Sequence, residues 1–456
     1  MNYFRLLCNL FKLKSNVGKT KVQIKKMQSE KLRTLLHYAY DHSAYYRQSF
    51  EQAGINKDEL QKRPLTAFPT IDKSILMEHF NELVTMQGLT QEELRKFDEE
   101  KTEEHKRFKG AYHVVHSSGS TGKPGYFVYD SKAWGQMLLG ILRAALWNMT
   151  VPQILRLLAR GPRIVYIAAT DGRYGGAMAV SGGIEGIHAK QMFLDIKTPL
   201  SEWIKSVKTF RPNIVIGYPS AIKILGELVE SGEVSVEVLR VISCGEPLSA
   251  GLRCFIEKAF GAKVVNIYGA RESLALGVEV GSEDGMVLFD DLNVIEVEDG
   301  VMYLTCLYNF VQPLIRYKIS DQLVLRKPTA DSGVPFTQAE ILLGRNEDLL
   351  WFEDRNGNRD FLHPLAVEGF CLEGLRDYQF CQIDKTTFEM LAEVDGAEKE
   401  EEIRTEMLWQ MKKILAEKNL CHVRFFVRFV DEIMPDMRAG KKPLIVNASK
   451  ERGAAV

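Results

Sequence analysis

The chain has 456 residues, a length that suggests roughly two to four domains, and its 59 basic against 60 acidic side chains give a formal net charge of -1. Such a balance offers no general attraction to nucleic acid, and no apolar run approaches the roughly 18 to 20 residues that a membrane span requires. Cys8, Cys244, Cys254, Cys306, Cys371, Cys381 and Cys421 form no C-x-x-C pair, which argues against a disulfide framework or a cysteine-rich zinc site; the start also lacks a secretory signal pattern, so a cytoplasmic protein without stable membrane insertion is expected.

In chain order, residues 1–29 hold no acid but carry Arg5, Lys12, Lys14, Lys19, Lys21, Lys25 and Lys26 among Phe4, Leu6, Leu7, Leu10 and Phe11. This predicts a basic amphipathic helix, either touching an anionic membrane or partner or, as we expect, packed on its own domain with its lysines in water. A helical pattern continues over 30–60 and breaks at Arg63-Pro64-Leu65-Thr66; the alternating charges of 91–109 then predict a solvated helix. It leads into His116-Ser117-Ser118-Gly119-Ser120-Thr121-Gly122-Lys123-Pro124-Gly125. Such a loop can turn tightly and offer bare N–H groups, hydroxyls and one positive charge to a phosphate, although Gly and Ser also make ordinary solvated loops. It is not a Walker A loop, because Gly119 is three positions before Gly122 and Pro124 follows the lysine.

Beyond the loop, a short strand at 126–129 and a helix at 133–146 precede apolar strand candidates at 163–169, 213–217, 241–243 and 263–267, with helical segments between them. The helix at 248–259 puts Leu248, Leu252, Phe255, Ile256 and Ala259 on one face, with Gly261 placed to end it. This rhythm predicts a largely parallel sheet, whose ligands sit beyond the carboxyl ends of the strands, where Gly245-Glu246 and Tyr268-Gly269 are expected. Asp299-Gly300, between candidates at 293–298 and 301–307, predicts a hairpin and the start of a β-rich subdomain. Strands at 378–383 and 388–394, a helix at 399–418 and a strand at 422–430 predict a compact α+β unit at the C-terminal end.

Ser118-Gly119-Ser120-Thr121-Gly122-Lys123-Pro124 resembles the phosphate-binding loop of the adenylate-forming superfamily, the acyl-CoA ligases and their relatives. Further segments resemble that superfamily's signatures in the expected order: Gly245-Glu246-Pro247, Tyr268-Gly269-Ala270-Arg271-Glu272, Arg316-Tyr317 with Asp321, Gly344-Arg345 with Asp348, and Gly440-Lys441. Leu35-Leu36-His37-Tyr38-Ala39-Tyr40, Tyr45-Tyr46-Arg47 and Gly217-Tyr218-Pro219-Ser220 are most similar to the phenylacetate-CoA ligase branch, so the resemblance covers nearly the whole chain. It implies an α/β fold: a large N-terminal domain (1–343) with parallel-rich sheets and a β-rich subdomain, and a small mobile α+β C-terminal domain (344–456) hinged near Gly344. It also implies ATP-dependent activation of a small carboxylic acid, aryl or otherwise compact, through an acyl-adenylate, followed by transfer to a thiol, CoA being the expected acceptor. Transfer to an amine, a carrier protein or a polysaccharide precursor, or catalytically silent nucleotide binding, stays open, as does a homodimer.

By the same resemblance, Ser118, Gly119, Ser120, Thr121 and Gly122 hold the ATP phosphates with Lys123 as a counter-charge. Glu272 binds Mg2+ through carboxylate oxygen, the alternative being a surface salt bridge with Arg271. Asp321 accepts both ribose hydroxyls, and Arg345 lies near the ribose and the hinge. Gly245, Glu246 and Pro247 wall the adenine and Tyr268, beside Gly269, stacks on it; otherwise these are routine strand-end residues. Lys441 reaches the site for adenylation and leaves it when the small domain turns, with Lys442 as a competitor for the role. Arg271 stands where the family commonly has a small hydroxyl residue, and either assists by charge or occupies acyl space. Many relatives in the branch hold zinc with Cys and His, but Gly277-Val278-Glu279-Val280 and Gly285-Met286-Val287-Leu288 offer valine there, so no zinc is expected.

Overall fold

The computed structural model describes residues 3–99, 107–116, 125–168, 189–195, 198, 200–279, 281, 285–298, 300–319, 321–326, 333–345, 350–353, 359–362, 372–417, 420–434 and 444–447. Helices α1 (Tyr3–Ser15), α2 (Lys21–His42), α3 (Ala44–Gln52), α4 (Lys73–Glu78), α5 (Phe80–Leu83) and α6 (Gln91–Glu99) lead to strands β1 (His113–His116) and β2 (Tyr126–Tyr129). Then come α7 (Ser131–Ala145), α8 (Val151–Arg160), β3 (Arg163–Ala168), β4 (Lys190–Asp195), α9 (Leu200–Phe210), β5 (Ile214–Gly217), α10 (Pro219–Glu230), β6 (Arg240–Cys244), α11 (Ala250–Phe260) and β7 (Val264–Ala270). A run of strands follows: β8 (Ser273–Glu279), β9 (Met286–Leu288), β10 (Asn293–Glu298), β11 (Val301–Cys306), β12 (Tyr317–Ile319), β13 (Asp321–Leu325), β14 (Gln338–Arg345), β15 (Leu350–Glu353) and β16 (Arg359–Leu362). The last elements are β17 (Leu375–Asp384), β18 (Thr387–Val394), α12 (Glu400–Glu417), β19 (Arg424–Phe429) and β20 (Ile445–Asn447). The chain divides into two compact units, the first made of 1–162, 170–191 and 267–340 and the second of 163–169, 192–266 and 341–456.

In the second unit β3, β5 and β6 run parallel, with Ile164 opposite Ile214 and Ile214 opposite Arg240, and the start of β7 lies beside β6. These strands sit close to their expected bounds because each is an apolar, β-branched run covered on both faces: Val165, Ile167, Val215, Val241 and Val264 are all 0% exposed. The helix expected at 248–259 is α11, begun by the Ser249 hydroxyl accepting from the Leu252 amide at 3.2 Å and burying Leu252, Phe255 and Ile256. Residues between 350 and 445 form a hydrophobic core of their own. There β17 pairs antiparallel with β18, while β19 and β20 join parallel to β18 and β17. Ile403, Met407, Met411 and Leu415 of α12 recur every fourth residue and are buried in that core. Lys223 of α10 and Glu393 of β18 form a buried ion pair, and Glu393 also accepts from the Ile433 amide at 2.6 Å.

In the first unit β7 turns back through Arg271-Glu272 into β8, and the strand order runs β7, β8, β9, β14, β13. The hairpin expected around Asp299-Gly300 is β10–β11, with Glu298 opposite Val301, and β12 adds to it on the far side of β11. The N-terminal stretch differs from expectation: two helices occupy it. Asn16–Gly18 forms a single tight turn and Thr20 then restarts the chain, its hydroxyl accepting from the Gln23 amide while the Gln23 side chain accepts from the Thr20 amide. Leu13 and Asn16 face inward, so α1 is packed on its own unit, while Phe11 and Lys12 are exposed.

A buried ionic network fastens that packing. Arg143 of α7, 2% exposed, donates from both terminal nitrogens to the two Asp291 oxygens at 2.6 and 2.8 Å, and Asp291 is 0% exposed. Asn16 adds a bond to Asp291 at 2.8 Å, Lys31 reaches the Asp291 carbonyl at 2.6 Å, and the guanidinium lies 4.1 Å from the Phe289 ring centroid. Burial depresses the Lys31 ammonium below its ordinary value, and Asp291 works against that depression.

Candidate active site

Within the first unit the turn from β7 to β8 collects the residues singled out from the sequence. Strand β7 runs on to Ala270, so Tyr268 and Gly269 lie inside it and Arg271-Glu272 are the residues at its carboxyl end. Gly269 permits this, because a Cβ there would stand 2.5 Å from the Leu274 carbonyl oxygen across the turn. The Tyr268 ring is buried and its hydroxyl donates to Asp321, the first residue of β13, at 2.9 Å. Asp321 keeps its other oxygen for a further donor, as a ribose contact would need.

Glu272 is partly buried, and its carboxylate accepts a hydrogen bond from the Tyr317 phenol. Burial raises its proton affinity above the ordinary carboxylate range and the nearby Asp321 charge adds to that, while Arg271 and Tyr317 oppose it. Two carboxylates that raise each other's cost of ionisation suit a bound cation. Tyr129 of β2, 0% exposed, brings its hydroxyl within 2.8 Å of the Arg271 carbonyl and 2.9 Å of the Glu272 carbonyl. The Arg316 side chain belongs to the scaffold: it donates to the carbonyls of Thr66 and Phe68 at 2.9 and 3.0 Å and pairs with Glu296 and Glu298.

In the second unit Gly245-Glu246-Pro247 follows β6 directly, at the carboxyl end as expected. Glu246 accepts from the Ser220 amide at 3.2 Å, so its negative charge sits at the N-terminus of α10. Gly245 is held at φ +81°, and a Cβ there would come 2.8 Å from the Tyr218 ring. Gly245→Ala is therefore expected to lose about 1 to 3 kcal/mol of stability in urea unfolding. Adding Tyr218→Ala relieves the ring clash and leaves the backbone strain, so a double variant no worse than Gly245→Ala alone is the outcome that checks the assignment.

The phosphate loop, Ser118 to Lys123, and Lys441 with Lys442 lie outside the described residues, as does Asp348. Arg345 ends β14. The positions examined for zinc, Val278 and Val287, sit opposite one another in β8 and β9, and the described residues contain no group of three or more His, Cys, Asp or Glu able to hold a metal.

Sequence reasoning passed over Tyr129, and over His113, four residues before Ser117. The His113 ring stacks on Trp134 at 4.3 Å and 6°. Burial, reinforced by the Arg107 charge, lowers its pKa from 6.5 to about 4. The unfolded chain thus binds a proton that the folded chain refuses, and stability falls as pH drops from about 6.5 toward 4. His113→Phe should flatten that limb of a melting temperature against pH curve; an unchanged slope would place the sensitivity elsewhere.

No model of a known protein family matches the chain. It is 25% identical over 373 residues to the phenylacetate-coenzyme A ligase of Thermus thermophilus, covering 77% of this chain and 75% of that protein. To the phenylacetate-coenzyme A ligase of Aromatoleum evansii it is 25% identical over 402 residues, covering 82% and 79%. In fold it matches the crystal structure of 2-hydroxyisobutyryl-CoA ligase in the postadenylation state with a TM-score of 0.69, at 20% identity and over 96% of this chain and 93% of that one.

Proposed function

We propose that this chain, a member of the adenylate-forming superfamily on its phenylacetate-CoA ligase-like branch, joins a small carboxylic acid to coenzyme A with cleavage of ATP to AMP and pyrophosphate. A carboxylate oxygen attacks the α-phosphorus, the bond to the β-phosphate oxygen breaks, and pyrophosphate leaves behind an acyl-adenylate. The thiolate of CoA then attacks the acyl carbon, and the acyl–phosphate bond breaks to release AMP. The observation that carries the reading is the convergence of Tyr268, Asp321 and Glu272 at the β7–β8 turn, in a chain whose similarity to the ligases runs most of its length.

In this reading Asp321, oriented by Tyr268, takes the ribose hydroxyls. Ser118, Gly119, Ser120, Thr121, Gly122 and Lys123 cradle the phosphates, Gly245 to Pro247 border the adenine, and Arg345 lies toward the ribose. Glu272 would hold Mg2+, which when bound neutralises phosphate charge; a hard cation that keeps phosphates and waters as its other ligands needs only one or two carboxylates from the protein. Lys441 supports the first half-reaction only, carried on a C-terminal domain beginning near 344. The separate core of residues 350–445 supports that boundary, and any turning of the domain has to part Lys223 from Glu393.

Pyrophosphate exchange against a panel of aryl and short aliphatic acids, with mass spectrometry of the products in the presence and absence of CoA, tests the reading. ATP binding without exchange against any acid would replace it with a silent nucleotide-binding protein, and an acyl product formed only with amines or a carrier protein would replace CoA. Gly122→Val puts a branched side chain where backbone amides would approach phosphate. Losing one charge-assisted hydrogen bond alone should weaken ATP binding about tenfold in calorimetry; unchanged affinity would remove the loop from the site.

A further inference from the structure

A carboxylate at the tip of a two-residue turn is free to swing unless something fixes both its head and its backbone. Both are fixed here by phenols from distant parts of the chain. The Tyr317 phenol donates to the Glu272 carboxylate, and the Tyr317 backbone is itself clamped: Leu304 of β11 lies opposite it, Lys318 donates to the Ile71 carbonyl at 2.7 Å, and Ile71 donates to the Arg316 carbonyl at 3.2 Å. Tyr129 holds the other end, its hydroxyl reaching the carbonyls of Arg271 and Glu272 from a strand paired in full register with β1.

We propose that Tyr317 and Tyr129 are positioning residues that aim the Glu272 carboxylate at the Mg2+ of the ATP complex, Tyr317 through the carboxylate itself and Tyr129 through the turn. The inference rests on the function proposed above. Groups that orient a metal ligand are commonly worth about 10-fold to 100-fold in metal affinity or activity, because a ligand a fraction of an ångström out of place loses its bond. The two phenols act differently. Tyr317 bonds the ionised form of the carboxylate and so eases its ionisation; Tyr129 touches only carbonyls and leaves the proton affinity of the side chain alone.

The test uses the full chain with Tyr317→Phe, Tyr129→Phe and Glu272→Gln, each checked for an intact thermal transition. Mn2+ binding in the presence of a non-hydrolysable ATP analogue is read by electron paramagnetic resonance, and the Mg2+ and pH dependence of pyrophosphate exchange is read alongside. Tyr317→Phe should weaken Mn2+ about tenfold, raise the half-saturating Mg2+ by a similar factor, and move the acid limb of the exchange profile to higher pH. Tyr129→Phe should weaken Mn2+ with the acid limb unmoved. Folded variants that bind Mn2+ as the parent does would reduce both phenols to scaffold and overturn the proposal, while a loss confined to Glu272→Gln would overturn it and leave the ligase reading standing. A parent that catalyses no exchange sinks the ligase reading, and the Mn2+ measurement still decides on the phenols. Should Tyr317→Phe fail to fold, Tyr129→Phe is judged against the same Mn2+ threshold.

Discussion

Lys441→Ala should slow pyrophosphate release on the order of a hundredfold to a thousandfold, the usual cost of removing one donor aimed at charge that develops in the transition state. Thioester formation from a supplied acyl-adenylate should be nearly unchanged, because by then the α-phosphate has no pentacoordinate charge left to stabilise. Stability should hardly move, since a lysine removed from an exposed segment near a terminus takes little packing with it. Measured together, the two half-reactions separate a catalytic lysine from a structural one. Lys442→Ala is the control: if it blocks adenylation while Lys441→Ala does not, the motif is displaced by one residue, and if neither matters the lysine has no role in this chain.

Arg143→Ala should cost about 3 to 5 kcal/mol in urea unfolding, because it strands the Asp291 carboxylate, 0% exposed, without its bidentate partner. That is a large share of the 5 to 15 kcal/mol, roughly, by which native domains are stable. Replacing both members, Arg143→Met with Asp291→Leu, should recover much of the loss, since a well-packed apolar pair avoids the desolvation of two ions. Recovery will be incomplete because Asn16 also donates to Asp291. A single substitution costing under about 1 kcal/mol would mean that water reaches the pair.

The parallel strands were legible because each is a short continuous run of β-branched residues, and β6 and β7 start within one residue of where the pattern puts them. The Asp299-Gly300 hairpin was legible for a local reason too, as its turn chemistry sits in two adjacent positions. The break between α1 and α2 left a signal that went unread, Thr20-x-x-Gln23, because the lysines on either side suggested one continuous face. The signatures of the site could be found residue by residue, but their assembly could not. Tyr129 lies 142 positions before Arg271, in a strand whose pattern says only that it is apolar, and nothing local marks its hydroxyl as a partner for that turn. Arg143 was hidden differently: a charged residue on a helix reads as solvated, and only the tertiary fold shows a carboxylate waiting for it.

The long spans of these bonds bear on how the protein comes off the ribosome. Asn16 bonds across 275 positions to Asp291, the Tyr46 hydroxyl across 267 to the Pro313 carbonyl, and the Thr66 carbonyl across 250 to Arg316. At about 5 to 20 residues per second, a gap of this length keeps the N-terminal helices waiting for roughly 12 to 50 seconds before their partners have even been synthesised. Through that interval the inward faces of Leu13, Tyr46 and Phe68, all nearly fully buried in the finished fold, have only solvent or holding chaperones to meet. The first unit therefore cannot mature in the order in which it is translated, and its earliest segment is among the last to be secured.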